Sequence, residues 1–264
     1  MDYQHLTVVA DETGVLHLTL NRPDVKNAFN ERLIVEIDAA VTEASANAGV
    51  RALVLTGAGD AFCAGADLTM MQRAAAFSDS ENKADARRLA GMLHAIYSCD
   101  KPVIALVHGA CMGGGVGLAA ACDIVIAADD SFFALSEARL GIIPAVISPF
   151  VLQAIGPRQA RRFFLTGERF DAAAAKAIGL AHMTCLKAQL KETMEGVLKN
   201  LLACGPEAQR EAKALIRRVA YRPIDEAVME ETAGLIARIR SGAEGREGVA
   251  AFLEKRKPKW APRM

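Results

Sequence analysis

An α/β fold is what this sequence predicts, and three observations predict it. Residues 101–126, KPVIALVHGACMGGGVGLAAACDIVI, read as a strand, a glycine-rich turn, a short helix of small residues and a second strand, which together make a βαβ unit. Alternating apolar segments and a further strand-like run, ALVLT at 52–56, precede it. From about Leu186 the pattern becomes continuously helical, so a strand-and-helix body carries a helical tail.

Taken in order, residues 6–11 and 15–20 alternate around Gly14, which predicts an opening hairpin. Asn30 caps a helix whose apolar residues Leu33, Ile34, Ile37, Ala40 and Val41 recur at helical spacing. The strand at 52–56 runs into GAGDAFCAGADL, a turn-rich segment, and helix resumes at Thr69. Residues 73–85, RAAAFSDSENKAD, are polar without a steady period and read as a mobile excursion before a helix at 86–97.

In the central unit a strand covers 103–107, and Pro102 at its edge costs no ladder bond. The turn covers 109–115, the helix 116–122, and the second strand starts at Ile124. A brief strand at 132–135 leads into SEARLGIIPAVISP. Helices at 149–155, 157–166 and 172–178 each end in glycine, and 180–185 is one more strand. The tail reads as helices at 187–203, 207–220, 224–240 and 244–254, separated by Gly-Pro, Arg-Pro and Ser-Gly. Such helices bury their apolar faces poorly on themselves, which predicts an oligomerisation or capping region.

Composition narrows the class. Lys plus Arg and Asp plus Glu number 31 each in 264 residues, so no global field selects nucleic acid or an anionic membrane. The six cysteines form no C-x-x-C pair and sit largely in apolar runs, as reduced core residues of a cytoplasmic protein do; no metal is expected. The opening MDYQHLTVVADETG lacks a basic start followed by an apolar run, and the longest weakly polar stretch, 109–122, is shorter than a bilayer span. A soluble protein without membrane association is expected.

The chemistry begins at Gly113, Gly114 and Gly115. Glycines where a helix starts leave backbone N–H groups without intrahelical partners and without side chains to block approach, which suits a group that is or becomes negative. A tight turn needing glycine only for its dihedrals is the alternative. Gly115 is followed by Val116 and Gly117 rather than Lys-Ser/Thr, and no third glycine or acidic ribose partner falls at the dinucleotide offset. A transient oxyanion is then the better candidate, given a second donor elsewhere.

The segments LTLNRPDVKNAFN (18–30), AFCAGADL (61–68), the central stretch, FFALSEARLGIIP (132–144) and FLEKRK (252–257) together resemble the crotonase superfamily, the enoyl-CoA hydratase and isomerase family. The resemblance covers nearly the whole chain. It implies a crotonase-like spiral of ββα repeats with a C-terminal helical trimerisation region, divided as an acyl-CoA-binding core at 1–200 and helices at 201–264. It also implies a homotrimer or a dimer of trimers. The substrate would be an acyl-CoA thioester, with coenzyme A part of the substrate and no separate cofactor.

By the same resemblance, Ala66 and Gly114 supply the two oxyanion N–H groups, each worth roughly 3 kcal/mol of transition-state stabilisation. Family hydratases carry two glutamates. Here the first position is Gly117, and only the second, Glu137, remains. Apolar neighbours Phe133, Leu135, Leu140 and Ile142 would raise its pKa by desolvation, which suits proton exchange near neutrality. A capping carboxylate after Ser136 is the alternative role.

One carboxylate leaves two reactions open: hydration, or isomerisation by moving one proton from C2 to C4. The local text looks most like the methylglutaconyl-CoA and isohexenylglutaconyl-CoA hydratase subgroup, which favours hydration. Gly117 would open volume for a branched acyl chain, and a second substrate carboxylate would call on Arg73 or Arg139.

Lys26 and Ala28 match adenine-side positions. Ala64, Asp67 and Leu68 fall with the substrate contacts, Leu68 beside the pantetheine path, although Asp67 also suits loop hydrogen bonding. Phe252 and Lys255 match positions that reach the nucleotide from a neighbouring subunit. His108 reads as structural, and Ser136 lacks the glycines of a nucleophile elbow. A non-catalytic acyl-CoA-binding or RNA-binding scaffold is the reading from another class. Neutral charge and retention of Glu137 argue against it.

Overall fold

The fold is given by a computed structural model, which describes residues 2–261. The chain opens with β1 (Leu6–Ala10) and β2 (Val15–Leu20), an antiparallel hairpin, followed by α1 (Glu31–Ala46) and β3 (Ala52–Gly57). Then come α2 (Leu68–Ala74), α3 (Asp79–Ser98), β4 (Val103–Val107), β5 (Ala110–Met112), α4 (Gly114–Ala121), β6 (Ile124–Ala128) and β7 (Phe132–Ala134). Next are α5 (Ser148–Thr166), β8 (Arg169–Asp171), α6 (Ala172–Ala177) and β9 (Met183–Cys185). Four helices close the described chain: α7 (Leu190–Ala203), α8 (Pro206–Val219), α9 (Glu226–Ser241) and α10 (Ala243–Leu253).

The strands form two sheets. The larger has the order β1-β2-β3-β4-β6-β9 and is parallel from β2 onward; the smaller has the order β5-β7-β8. Each repeat places one strand in the larger sheet, one in the smaller, and then a helix: β4, β5 and α4 form one, and β6, β7 and α5 the next. The segment after β3 follows the same rule, because Cys63 pairs with Cys111 of β5 in parallel. The architecture is thus the expected α/β spiral of ββα units.

Strands β3 and β4 are buried on both faces because helices cover the larger sheet from both sides. On one face Leu53, Leu55, Val103 and Ala105 share a core with Leu33, Ile37 and Val41 of α1 and with Met92 and Ile96 of α3. On the other, Val54, Ile104 and Ile126 meet Met194, Leu198 and Leu202 of α7. The tail is tied down by a largely buried ion pair, Lys213 Nζ to Asp123 Oδ2 at 2.7 Å, in which the same oxygen accepts from Val103 N.

Three expectations change. Residues 73–85 are no mobile excursion, because α3 starts at Asp79 behind a capping box: Ser78 N donates to Glu81 Oε2, and Glu81 N to Ser78 Oγ. The turn at 109–115 contains the short strand β5, hidden between glycines, and residues 169–171 form β8, whose RFD is charged at both ends with only Phe170 buried. The helices expected at 149–155 and 157–166 run as α5, broken at Gly156, where φ is +69°. Among the described residues, no helix is long and apolar enough to cross a membrane. The last three positions of the 201–264 region lie outside the described residues.

Candidate active site

The site is built where three loops meet. Asn30 accepts from Leu33 N and fixes the start of α1, which places Phe29 just ahead of it. Phe29 N donates to Gly65 O at 2.7 Å and Phe29 O accepts from Asp67 N at 2.8 Å. In a parallel bridge of this kind the flanked residue, Ala66, turns its own N–H to the opposite side. Ala64 N donates to Lys26 O, so the 22–30 loop and the 63–67 loop are stitched together.

The glycine turn is pressed against this pair. A Cβ on Gly114 would stand 3.0 Å from the Phe29 ring, and one on Gly65, where φ is +92°, would stand 2.9 Å from Met112 O and 3.5 Å from Gly114 N. Gly114 opens α4, so its N–H is one of the helix-start donors that no preceding carbonyl reaches. Neither the Ala66 nor the Gly114 N–H donates to a backbone carbonyl among the described residues. Both residues line one cavity of about 180 Å³.

Glu137 lines the same cavity. It begins the 3₁₀ turn Glu137–Leu140, and its Oε1 lies 3.1 Å from where a Cβ on Gly113 would be. Gly113 has a φ of +49°, and its missing side chain leaves room for the carboxyl beside the helix start. Ser136 makes no side-chain cap, and Glu137 Oε2 is buried without a hydrogen-bond partner, so the capping role is not what this structure displays. Burial pushes the Glu137 carboxyl above its ordinary value, opposed only by its own backbone N–H. The other side chains around the cavity, from Phe29, Ile34, Met70, Leu89 and the 143–147 segment, are apolar.

The remaining expected residues divide. Asp67 sends Oδ2 to Arg22 at 2.7 Å and Oδ1 to Thr69 N, capping α2, so its carboxylate is committed inside the protein rather than offered to substrate. Burial raises its pKa, but the Arg22 and Thr69 hydrogen bonds outweigh that and leave it below its ordinary value. Ala28 is buried and its carbonyl accepts from Arg22 at 2.6 Å, while Lys26 and Leu68 are exposed at the rim of these loops. Phe252 is 82% exposed and Lys255 is likewise exposed; neither lines the cavity within one chain. His108 is buried with Nε2 3.3 Å from Gly59 O, and burial lowers its pKa, as a structural histidine requires.

Gly117 requires a correction. It was expected to open volume, but a Cβ there would lie 2.6 Å from Ile147 Cβ and closer still to Ile147 Cγ2. Ile147 fills the space, and Gly117 does not itself line the cavity. Arg73 pairs with Glu31 at 3.1 Å and Arg139 packs its side chain over Gly167, so neither cation borders the cavity. Sequence reasoning missed Phe29, which places both donors, and Ile147. The NAFN segment held the first clue, because an aromatic residue just before a helix cap has to pack somewhere.

A ββα spiral around such a cavity is the architecture of the crotonase superfamily. The chain matches the family described as enoyl-CoA hydratase/isomerase over residues 10–263. It is similar to the crystal structure of an enoyl-CoA hydratase from Shewanella pealeana, with 38% identity, a TM-score of 0.95, and 98% of this chain and 96% of that one covered. An enoyl-CoA hydratase/isomerase structure from Marinobacter aquaeolei gives 37% identity and a TM-score of 0.92, covering 98% of this chain and 99% of that one. A crotonyl-CoA hydratase of Syntrophomonas wolfei is 33% identical over 259 residues, which is 97% of this chain and 98% of the relative. The chain belongs to the enoyl-CoA hydratase/isomerase family of enzymes.

The raised Glu137 pKa makes a prediction about stability. A carboxyl that holds its proton more tightly when folded weakens the fold as pH rises from its ordinary value through the raised one. Glu137→Gln should therefore raise Tm at pH 7, and the gain should vanish below about pH 4, where both states are protonated. Thermal unfolding at the two pH values checks this; an equal difference at both contradicts it.

Proposed function

We propose that this protein hydrates the 2,3 double bond of an enoyl-CoA thioester. The observation that carries the reading is the convergence of two unpartnered backbone N–H groups and one partnerless buried carboxyl oxygen on a single cavity. The thioester carbonyl oxygen accepts from Ala66 N and Gly114 N. Ionised Glu137 takes a proton from water as the hydroxyl oxygen bonds C3, and the electron pair of the double bond moves into a thioester enolate. The two donors hold the enolate oxygen, each contributing roughly 3 kcal/mol at that stage. Glu137 then returns the same proton to C2, which closes the balance of one water added.

The acyl group follows from the lining. Apolar side chains without a cation favour an apolar acyl chain, 3-branched included, over a dicarboxylic one such as 3-methylglutaconyl. The enzyme uses no cofactor beyond the coenzyme A that its substrate carries, with Lys26, Ala28, Ala64 and Leu68 along the CoA path. All six cysteines are unpaired and four are buried, which supports a reducing cytoplasmic setting. Isomerisation of a 3-enoyl-CoA is the second reading. It is favoured by the absence of any other polar side chain around the cavity to hold the attacking water.

Assembly as a trimer or a dimer of trimers is supported by the apolar residues that the tail leaves in solvent, among them Ile216, Met229, Ile236 and Phe252. Such an assembly would let Phe252 and Lys255 of one chain reach the nucleotide of a neighbour. We expect sedimentation to give a mass of three or six chains; the mass of a single chain contradicts it.

Loss of the conjugated enoyl-thioester absorbance should occur with crotonyl-CoA and 3-methylcrotonyl-CoA, and 3-methylglutaconyl-CoA should be slower. Glu137→Gln should lower kcat by about 100-fold or more while leaving affinity for the product nearly unchanged. Absorbance gain from a 3-enoyl-CoA, without loss from any 2-enoyl-CoA, would replace hydration by isomerisation.

A further inference from the structure

Ile147 stands between two features already described. On one side it lines the cavity that Glu137, Ala66 and Gly114 share; on the other its side chain rests on the bare backbone of Gly117 in α4. It is only 3% exposed. Its backbone is fixed at the start of α5, where its carbonyl accepts from both Phe150 N and Val151 N. Being β-branched, it has few rotamers with which to withdraw. The pocket over Gly117 therefore exists, but it is filled from the opposite side by a residue distant in sequence.

We propose that Ile147 is the specificity-determining residue of the acyl cavity, a plug seated on Gly117 that sets its depth and restricts it to short acyl chains. The inference deepens the enoyl-CoA reading and rests on it. Two consequences follow from the contact. Truncating residue 147 to alanine removes every carbon beyond Cβ, so the space that its γ and δ carbons fill joins the cavity and a longer acyl chain gains apolar surface to bury. A side chain added at 117 must overlap Ile147 at Cγ2 and at Cβ, of which the truncation relieves the first, and overpacked cores respond by shifting or losing stability.

The test uses the full-length protein as wild type, Ile147→Ala, Gly117→Ala and the double variant. Kinetics compare crotonyl-CoA with trans-2-hexenoyl-CoA. Ile147→Ala should raise the kcat/KM ratio of hexenoyl over crotonyl roughly tenfold. Gly117→Ala should lower Tm by roughly 5 °C, and because Ile147→Ala removes the Cγ2 overlap while its Cβ contact remains, the double variant should lose less Tm than the sum of the two singles. An unchanged ratio in Ile147→Ala overturns the proposal, as does a Tm loss in the double variant equal to the sum of the singles.

Should wild type hydrate neither substrate, the function proposed above fails separately. The plug is then judged by calorimetric affinity for hexanoyl-CoA against butyryl-CoA, which should shift in the same direction. If Ile147→Ala does not fold, Ile147→Cys, which keeps a single γ atom where isoleucine has two γ carbons and a δ carbon, gives the same comparisons with a smaller expected change.

Discussion

Two backbone N–H groups can serve one carbonyl oxygen only if the loops that carry them come within contact of each other, and that closeness governs this structure. The 63–67 loop and the 113–115 turn approach so tightly that a Cβ on Gly65 would press on Met112 O. Phe29 wedges the arrangement from beneath, with its ring against Gly114 and its backbone bonded on either side of Ala66. The ββα spiral makes this meeting possible, because successive units stack Cys63 beside Cys111 and so bring the two loops to the same end of the small sheet. Donors fixed in this way need little reorganisation to meet a negative charge.

The carboxyl beside them is held at a cost to the fold. Glu137 has one oxygen buried without a partner, in a cavity otherwise walled by apolar side chains. Burial unopposed by any cation favours its protonated form and raises its proton affinity. Asp67, the residue after Ala66, shows the opposite design. Arg22 and Thr69 neutralise its burial, and it works as a cap for α2. Two acidic residues near one cavity thus differ in role because one has partners and the other has none.

Much of this was legible in the sequence, for identifiable reasons. Pro102, the β-branched run after it and the glycines marked the central unit, because each of those residue types restricts the backbone locally. Strands β5 and β8 were not legible, since β5 is hidden between glycines in a turn-like run, β8 reads RFD with a charge at both ends, and their pairing is decided by tertiary neighbours. The start of α3 was legible in principle from Ser78 and Glu81, but the polar run around them masked the capping signal. Glu137, Ala66 and Gly114 came from motif resemblance, and the geometry brings them together. The volume at Gly117 could not be read, because glycine reports an absent side chain and says nothing of the neighbour that fills the space.

The central claim is that Ala66 N and Gly114 N converge on one thioester oxygen, and vibrational spectroscopy reads that convergence directly. Crotonyl-CoA labelled with ¹³C at the thioester carbonyl would be bound to Glu137→Gln, the variant expected to slow turnover, and its carbonyl stretch compared with that of the free ligand. Two donors at hydrogen-bond distance polarise the carbonyl, so the account predicts a band shifted clearly to lower frequency, with the shift diminished in Gly114→Pro. A band at the frequency of the free ligand in water or above it would show that the two N–H groups do not meet the substrate there, and would contradict the account.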